Sequence, residues 1–413
     1  MLEIGFANAE FRRLTRDDME DAMRLSEYAF QFERTDQQRR EEIGRTVPEW
    51  RWGAFVNGRI AAQLIEYPLE AYMQGRKMAM GGIGGVASWP EYRRGGLVAG
   101  LLVRSLRSMK EAGRAISMLT PFSYAFYRKY GWEMAIDRKK YTVPAHLWPV
   151  SAGERVPGGF DRLPKDAGAV IERAGPVYER FAARYNGMLS RTGDWWTDRV
   201  IQRRGGEFAV YRDASGRDLG YLHYQVKNRE VTVHEFVALT PEAERALWKF
   251  IALHDSMADR AVLYVPVDDP LSLLGAEPRF RQEIEPYFMG RIVDMEAFLA
   301  QYRFAPLEHR PHRWAERKDA SFVLDVEDVH AEWNNGRFAV TVDEAGRAEA
   351  VRTDEAGGRP VIRGSIQAFS ALFFGCRRAA DLRRYGKLAA DDEAVGLLDA
   401  VAGARTPFLC DFF

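Results

Sequence analysis

The sequence predicts an α/β chain of three consecutive units: two mixed sheets in tandem, then a smaller α+β unit. Three observations carry this reading. At 413 residues the chain exceeds one ordinary core, since about 150 residues per domain gives two or three. Strand patterns alternate with amphipathic helices through the first two units, which implies mixed sheets covered by helices. The order strand, helix start, strand found around Arg93 returns around Thr240. The boundaries follow as residues 1–150, 151–300 and 301–413.

In the first unit Thr15 suits a helix N-cap, with Asp17 and Asp18 at the positive end of the helix dipole. Met19, Met23 and Phe30 then fall on roughly one face. Residues 52–56 and 59–67 read as strands joined by Asn57-Gly58, a pair suited to a type I′ turn with positive φ at both positions. Residues 78–88 form a third strand, 96–112 a helix and 115–119 a short buried strand. Residues 124–130 are a short helical piece stopped by Gly131.

Gly/Pro-rich stretches at 153–159 and 164–168 mark the first boundary. Residues 221–226 and 231–238 are strand-like. Thr240-Pro241 then starts a helix, with a capping hydroxyl before a first-position proline, and 261–265 follows as a strand. No glycine turn precedes this helix, so the middle unit reads as a degenerate copy of the first. The third unit begins near 303–306. It has paired strands at 322–326 and 337–342, joined through Asn334-Asn335-Gly336, and helices at 366–374 and 390–401. The sequence closes on Phe408-Leu409-Cys410-Asp411-Phe412-Phe413. Terminal tails are usually polar and frayed, so this one is expected to be packed.

Lys plus Arg equals Asp plus Glu at 59 each, so no global field favours nucleic acid or membrane. The only cysteines, Cys376 and Cys410, lack a paired metal-ligand spacing, which argues against a disulfide scaffold or structural zinc. The start, Met1 to Phe6, lacks the pattern of a signal peptide, and no apolar run approaches the roughly 18 residues of a membrane span. A reduced, cytoplasmic protein is expected. His309 and His312 stand three apart around Pro311 with no acidic third ligand, so no metal is expected.

The stretch with the most chemistry is Arg93-Arg94-Gly95-Gly96-Leu97-Val98. A pyrophosphate needs converging backbone N–H groups with little side-chain obstruction. The first turn of a helix supplies unpaired N–H groups and about half a positive charge. Here a strand ends at Ser88, Pro90 ends regular pairing, and two arginines precede two glycines and an apolar helix. The arginines can add charge-assisted contacts. A glycine-softened turn with two solvated arginines has the same spacing. No Gly-Lys-Ser/Thr follows, and the dinucleotide Gly-x-Gly spacing does not continue, which excludes both of those motifs.

Residues 86–98 resemble motif A of the GCN5-related N-acetyltransferases, whose signature is Gln/Arg-x-x-Gly-x-Gly/Ala; Arg93, Gly96 and Val98 occupy its positions. Valine at the last position departs from the pattern. The resemblance implies acetyl-coenzyme A as donor, with the backbone of Val86, Ala87 and Ser88 pairing with the pantetheine arm like an added strand. Tyr127, four residues before Gly131-Trp132, resembles the superfamily's acid position. The three-part layout and terminal phenylalanine resemble the enhanced intracellular survival (Eis) acetyltransferases. That likeness implies two acetyltransferase-like domains, the second inactive, followed by a sterol-carrier-protein-like domain. It also implies several acetylations on aminoglycosides or other polyamines, and a homo-hexamer.

The chemistry expected from the likeness is direct attack in a ternary complex. An alkyl amine, with a pKa near ~10, must lose a proton, and the departing thiolate must gain one. Tyr127 is expected to supply the second proton, and the Phe413 carboxylate to accept the first, through burial or a relaying water. A backbone N–H near Val86 is the expected oxyanion contact. Tyr127 also reads as a core tyrosine beside Tyr124 and Tyr130, and Phe413 as an apolar plug. Cys410 has no neighbour that lowers its pKa and reads as a small buried hydrophobe rather than an acetyl carrier. Trp195 and Trp196 suit a cationic pocket or a core, and Glu27 and Glu33 suit amine binding or a solvated helix face. A lysine side chain or a polyamine remains an alternative acceptor. A lipid-binding carrier or sensor remains an alternative role.

Overall fold

Strands from the first two units join one twelve-stranded sheet, and the third unit has its own sheet of five strands. The computed structural model describes residues 5–6, 8–306, 320–403 and 405–413; His309 and His312 lie outside them. The strands of the large sheet are β1 (Ala9–Arg13), β2 (Arg51–Val56), β3 (Arg59–Met73), β4 (Arg76–Ser88), β5 (Ile116–Leu119) and β6 (Glu133–Pro144). They continue with β7 (Gly159–Arg162), β8 (Glu207–Arg212), β9 (Asp218–Lys227), β10 (Glu230–Ala238), β11 (Arg260–Val265) and β12 (Arg281–Ile292). The spatial order is β1-β2-β3-β4-β5-β12-β6-β11-β10-β9-β8-β7. Strand β12, late in the chain, therefore sits between β5 and β6, antiparallel to both, while β6 pairs with β11. The two units interleave.

Local chemistry explains the elements. Asn57 and Gly58 both take positive φ, 51° and 75°, as the β2–β3 turn requires. Thr15 and Asp18 form a capping box on a 3-10 turn that leads into α1 (Met19–Phe30). Met19 and Met23 are buried as their spacing predicts. Phe30 is exposed, because it is the last residue of α1 and Gln31 turns left-handed straight after it. Thr35 and Gln38 cap a helix the sequence reading did not mark, α2 (Asp36–Arg45). Strand β3 runs past the expected residue 67. Pro68 is exposed there, and beyond it β3 keeps pairing with β4 and bridges to Leu189 through Ala71.

Helix α3 (Leu97–Glu111) covers one face of the sheet, where Leu97, Leu101, Leu102 and Leu106 join Ile83 and Leu119. Helix α1 covers the other face. Gln63 of β3 donates to the Ala22 carbonyl of α1 at 2.8 Å, while its neighbour Leu64 belongs to the α3 cluster. The second unit adds α5 (Ala167–Ala182), the short turn α6 (Gly193–Trp195), a π-helix over Trp196–Gln202, and α7 (Pro241–Ala252).

The third unit orders its strands β15 (Ala348–Thr353), β14 (Gly336–Val342), β13 (Ala320–Glu327), β16 (Val361–Ser365) and β17 (Leu388–Ala389). Helices Ile366–Phe373 and Asp392–Val401 pack on it. A buried pair ties this unit to the large sheet. Arg291 of β12 meets Asp328 at 2.6 Å and donates to the Tyr130 carbonyl. No helix of the described residues is long and apolar enough to cross a membrane.

Asp328→Ala would leave Arg291 buried without its counter-charge. Denaturant unfolding is expected to show a loss of about 3–5 kcal/mol, whereas a loss below about 1 kcal/mol, the level of a surface ion pair, would mean that the pair does not hold the units together.

Candidate active site

The site starts where β4 loses one neighbour. On one edge β4 stays paired with β3 as far as Ser88; on the other, its parallel pairing with β5 stops at Ile83↔Leu119. A bulge follows at once, since β3 pairs Ile65 with Gly84 but Gln63 with Ala87. Residues 84–88 thus present an unpaired backbone edge toward a gap between β4 and β5. Val86, Ala87 and Ser88 lie on this edge.

The chain then turns through Arg94 (φ 65°) into Gly96, the N-cap of α3, which takes φ 77° and offers no capping side chain. No acidic residue occupies the first turn of α3. Its first N–H groups therefore keep their anion-binding capacity. Arg93 and Arg94 are exposed beside this turn. The residues proposed for a phosphate cradle and those proposed for the pantetheine edge are thereby adjacent. In the second unit the parallel pairing of β10 with β11 also stops at Val233↔Leu263, with a bulge after Val233. There, however, Thr240 caps α7 through the Ala243 N–H, Pro241 removes a donor, and Glu242 and Glu244 repel anions. The gap survives and the cradle does not.

Tyr127 stands on α4 (Tyr124–Arg128), which begins five residues after β5 and is capped by the Ser123 hydroxyl. Its ring packs edge-on against Phe122 and Phe126 in the α3-side cluster and is 2% exposed. Burial pushes its phenol well above the ordinary tyrosine value, so it stays protonated throughout the neutral range.

Phe413 reaches the same gap from the other face. A Cβ on Gly82 would lie 2.8 Å from its ring, and one on Gly84 would lie 3.2 Å from its terminal carbon, so glycine at both positions lets the tail close tightly on β4. Its ring contacts Tyr67, Trp195 and Phe288. Ile83, between the two glycines, points into the cluster that holds Tyr127. Tyr127 and Phe413 thus flank the gap from opposite faces of β4.

Sequence reasoning missed what holds the tail. Asp411 is 1% exposed and accepts from Arg191 at 3.1 Å, Trp195 Nε1 at 2.9 Å and Tyr178 at 3.2 Å. Arg191 also pairs with buried Glu235, which takes a second guanidinium from Arg204 at 2.7 Å. Arg204 donates to the Cys410 carbonyl, and Tyr287 to the Asp411 carbonyl at 2.7 Å. Burial alone would push Glu235 up, but the two guanidiniums hold it well below the usual carboxylate range. The one signal in the sequence was a charged residue inside an apolar tail, which demands a buried counter-charge without naming it.

The paired tryptophans part company. Trp195 lies against Phe413, whereas Trp196 packs on Tyr178 beneath Arg191, in the core. Glu27 is taken up by Arg39 at 2.9 Å, with Arg34 at 3.8 Å, and Glu33 is exposed. Burial raises the Cys410 thiol, which disfavours a thiolate. Among the described residues no cluster of three or more His, Cys, Asp or Glu could hold a metal.

Residues 10–135 and 187–292 each match a family model for an acetyltransferase (GNAT) domain, and residues 295–410 match a sterol carrier protein domain. The chain is 27% identical over 376 residues to an uncharacterized N-acetyltransferase of Streptomyces avermitilis, 86% of each chain. It is 26% identical over 343 residues to the N-acetyltransferase Eis of Mycobacterium tuberculosis, 79% of this chain and 78% of that one. A probable N-acyltransferase from Enterococcus faecalis superposes with a TM-score of 0.87 at 27% identity, over 98% of this chain and 100% of that one. An Eis protein from Mycobacterium abscessus shares the fold at 22% identity and a TM-score of 0.78, over 98% and 100%. The gap, the bare helix start and the paired domains define an N-acetyltransferase. The chain belongs to the Eis-like GCN5-related N-acetyltransferases, with two acetyltransferase domains followed by a sterol carrier protein domain. Acetyl-coenzyme A is the donor such enzymes use.

If the Asp411 array fixes the tail, carboxypeptidase should remove Phe413 slowly from the native protein. Asp411→Ala should speed its release by about tenfold or more; equal rates by mass spectrometry would show that the tail is held elsewhere.

Proposed function

We propose that this chain transfers acetyl from acetyl-coenzyme A to a primary amine of a small molecule, by direct attack in a ternary complex. Tyr127 is the general acid and the Phe413 carboxylate the general base. The observation that carries the reading is the approach of these two residues to the β4–β5 gap from opposite faces. Addition to a thioester carbonyl asks for this arrangement: the amine proton leaves on one side and the thiolate is protonated on the other. Arg93, Arg94 and the N–H groups of Gly95, Gly96, Leu97 and Val98 would hold the pyrophosphate, and the 86–88 backbone the pantetheine. The phenol of Tyr127 stays protonated at neutral pH, as a proton donor must. The raised thiol of Cys410, whose carbonyl is tied to Arg204, speaks for direct transfer rather than an acetyl-cysteine.

The likeness to Eis proteins supports a polycationic acceptor such as an aminoglycoside, with a lysine or polyamine as the alternative. Trp195 lines the Phe413 side of such a pocket, but Arg199 already stands over its ring. The carboxylate of Glu27 does not add to it, because Arg39 and Arg34 already balance it. A lipid-carrier role finds less support, since aromatic rings of Phe298, Tyr302, Phe304 and Phe373 pack on one another at the base of the third unit. Both cysteines are free, in keeping with a reduced, cytoplasmic setting. The homo-hexamer implied by the likeness is tested by light scattering of the purified chain.

Coenzyme A release, followed with a thiol reagent across aminoglycosides, polyamines and amino acids, tests the activity; no turnover with any amine would overturn it. Tyr127→Phe should lower kcat by about 10²-fold while leaving the KM for acetyl-coenzyme A near its starting value. A residue added after Phe413 should lower kcat similarly, and unchanged turnover would remove the terminal carboxylate from the mechanism. Val98→Glu, which puts a negative charge in the first turn of α3, should weaken acetyl-coenzyme A binding by about tenfold by calorimetry.

A further inference from the structure

The face of the sheet that carries Phe413 also carries arginines that the proposed chemistry does not use. Arg51 of β2 pairs with Ile65 of β3, which pairs with Gly84 of β4, the residue against the terminal carbon of Phe413. Two inter-strand steps of about 4.8 Å place Arg51 about 10 Å along the sheet from that glycine. It is 6% exposed. Its Nε and Nη1 are closed off from solvent without a hydrogen-bond partner, and its guanidinium forms no ion pair among the described residues. Burying guanidinium nitrogens unpaired is costly, and native structures rarely leave them without a partner, so Arg51 is poised to take one.

Its surroundings deepen the positive charge. Arg199 donates to the Tyr67 hydroxyl at 3.0 Å and stands over the Tyr67 and Trp195 rings, both of which touch Phe413. Arg203 stands over Phe412. Arg199 lies within the Trp196–Gln202 π-helix and Arg203 caps its end; such turns recur at functional sites. Among the described residues Glu42 feels Arg51 electrostatically but forms no ion pair, and Glu27 is already paired. The bare start of α3 lies on the opposite face of the sheet, so these arginines are not the donor's phosphate site.

We infer that the acceptor amine carries an anionic group, a carboxylate in the first instance, which Arg51 binds with help from Arg199 and Arg203 while the amine faces Phe413. This rests on the acetyltransferase reading and, among its acceptors, selects the lysine-like one, an amine that also bears a carboxylate. Guanidinium and carboxylate match as planar, two-pronged partners, and a buried guanidinium rejects a ligand that leaves it unpaired.

The test compares amines that differ only in the anion: lysine with cadaverine, ornithine with putrescine, γ-aminobutyrate with propylamine, and phosphoethanolamine with ethanolamine as the phosphate arm. The carboxylate-bearing member of each of the first three pairs should show a kcat/KM higher by about tenfold or more. Arg51→Met and, separately, Arg199→Gln should shrink that ratio toward one, mainly through KM for the acceptor. A preference confined to phosphoethanolamine would overturn the carboxylate assignment, and equal or better use of the polycations would overturn the inference while leaving acetyl transfer intact. If no amine is turned over, the acetyltransferase reading fails on its own. Thermal shift on the same panel then decides the anion site: stabilisation by the carboxylates that Arg51→Met removes keeps it, and its absence overturns it.

Discussion

Two guanidiniums and two carboxylates, Arg191 and Arg204 with Asp411 and Glu235, form a neutral buried array on which the rest of the site depends. Burying each of these charges alone would cost several kcal/mol, so the array is stable only complete. Its members come from distant parts of the sequence: the segment before α6, β10, the end of the π-helix and the chain terminus. The tail can reach β4 only when all of them are in place. The array stands beside the bulge of β10, the counterpart of the one that opens the β4–β5 gap. In one unit this irregularity frees a backbone edge. In the other it frees a buried carboxylate, Glu235, that grips the tail.

The same logic explains why the two faces of β4 divide the work. Glycine at 82 and 84 brings a carboxyl terminus against the strand, while Ile83 between them belongs to the core around Tyr127. Strand alternation alone thus separates the proposed base from the proposed acid, and the bulge at Gly85 opens the passage between them. Neither group needs a mobile segment to come into position.

Local signals were legible in the sequence where they are local in physics. The Asn57-Gly58 turn, the bare glycine start of α3 and the Gly131 stop after the helix of Tyr127 all depend on a few neighbouring residues, and each was read from its own stretch. The extension of β3 past Pro68 was not, because a proline reads locally as a strand stop, whereas here it is exposed and the hairpin pairing with β4 continues beyond it. Trp195 and Trp196 looked alike as a pair, yet successive residues on a helical turn point in different directions, so one meets the tail and the other the core. Asp411 could be suspected of a partner but not assigned one. Arg51, in a strand of otherwise apolar character, gave no warning that its guanidinium would lack a partner inside the fold.

The position of β12 has a consequence for how this molecule is made. On a ribosome adding about 5–20 residues per second, β5 emerges on the order of ten seconds or more before the strand that must lie beside it. Until then its free edge can pair with any strand that comes near, the usual route to aggregation. Closure of the sheet also requires contacts between residues very far apart in sequence, which slows the final step. The first two units therefore mature as one body and late. A cut or an exchange of modules between them would separate strands that only complete each other together.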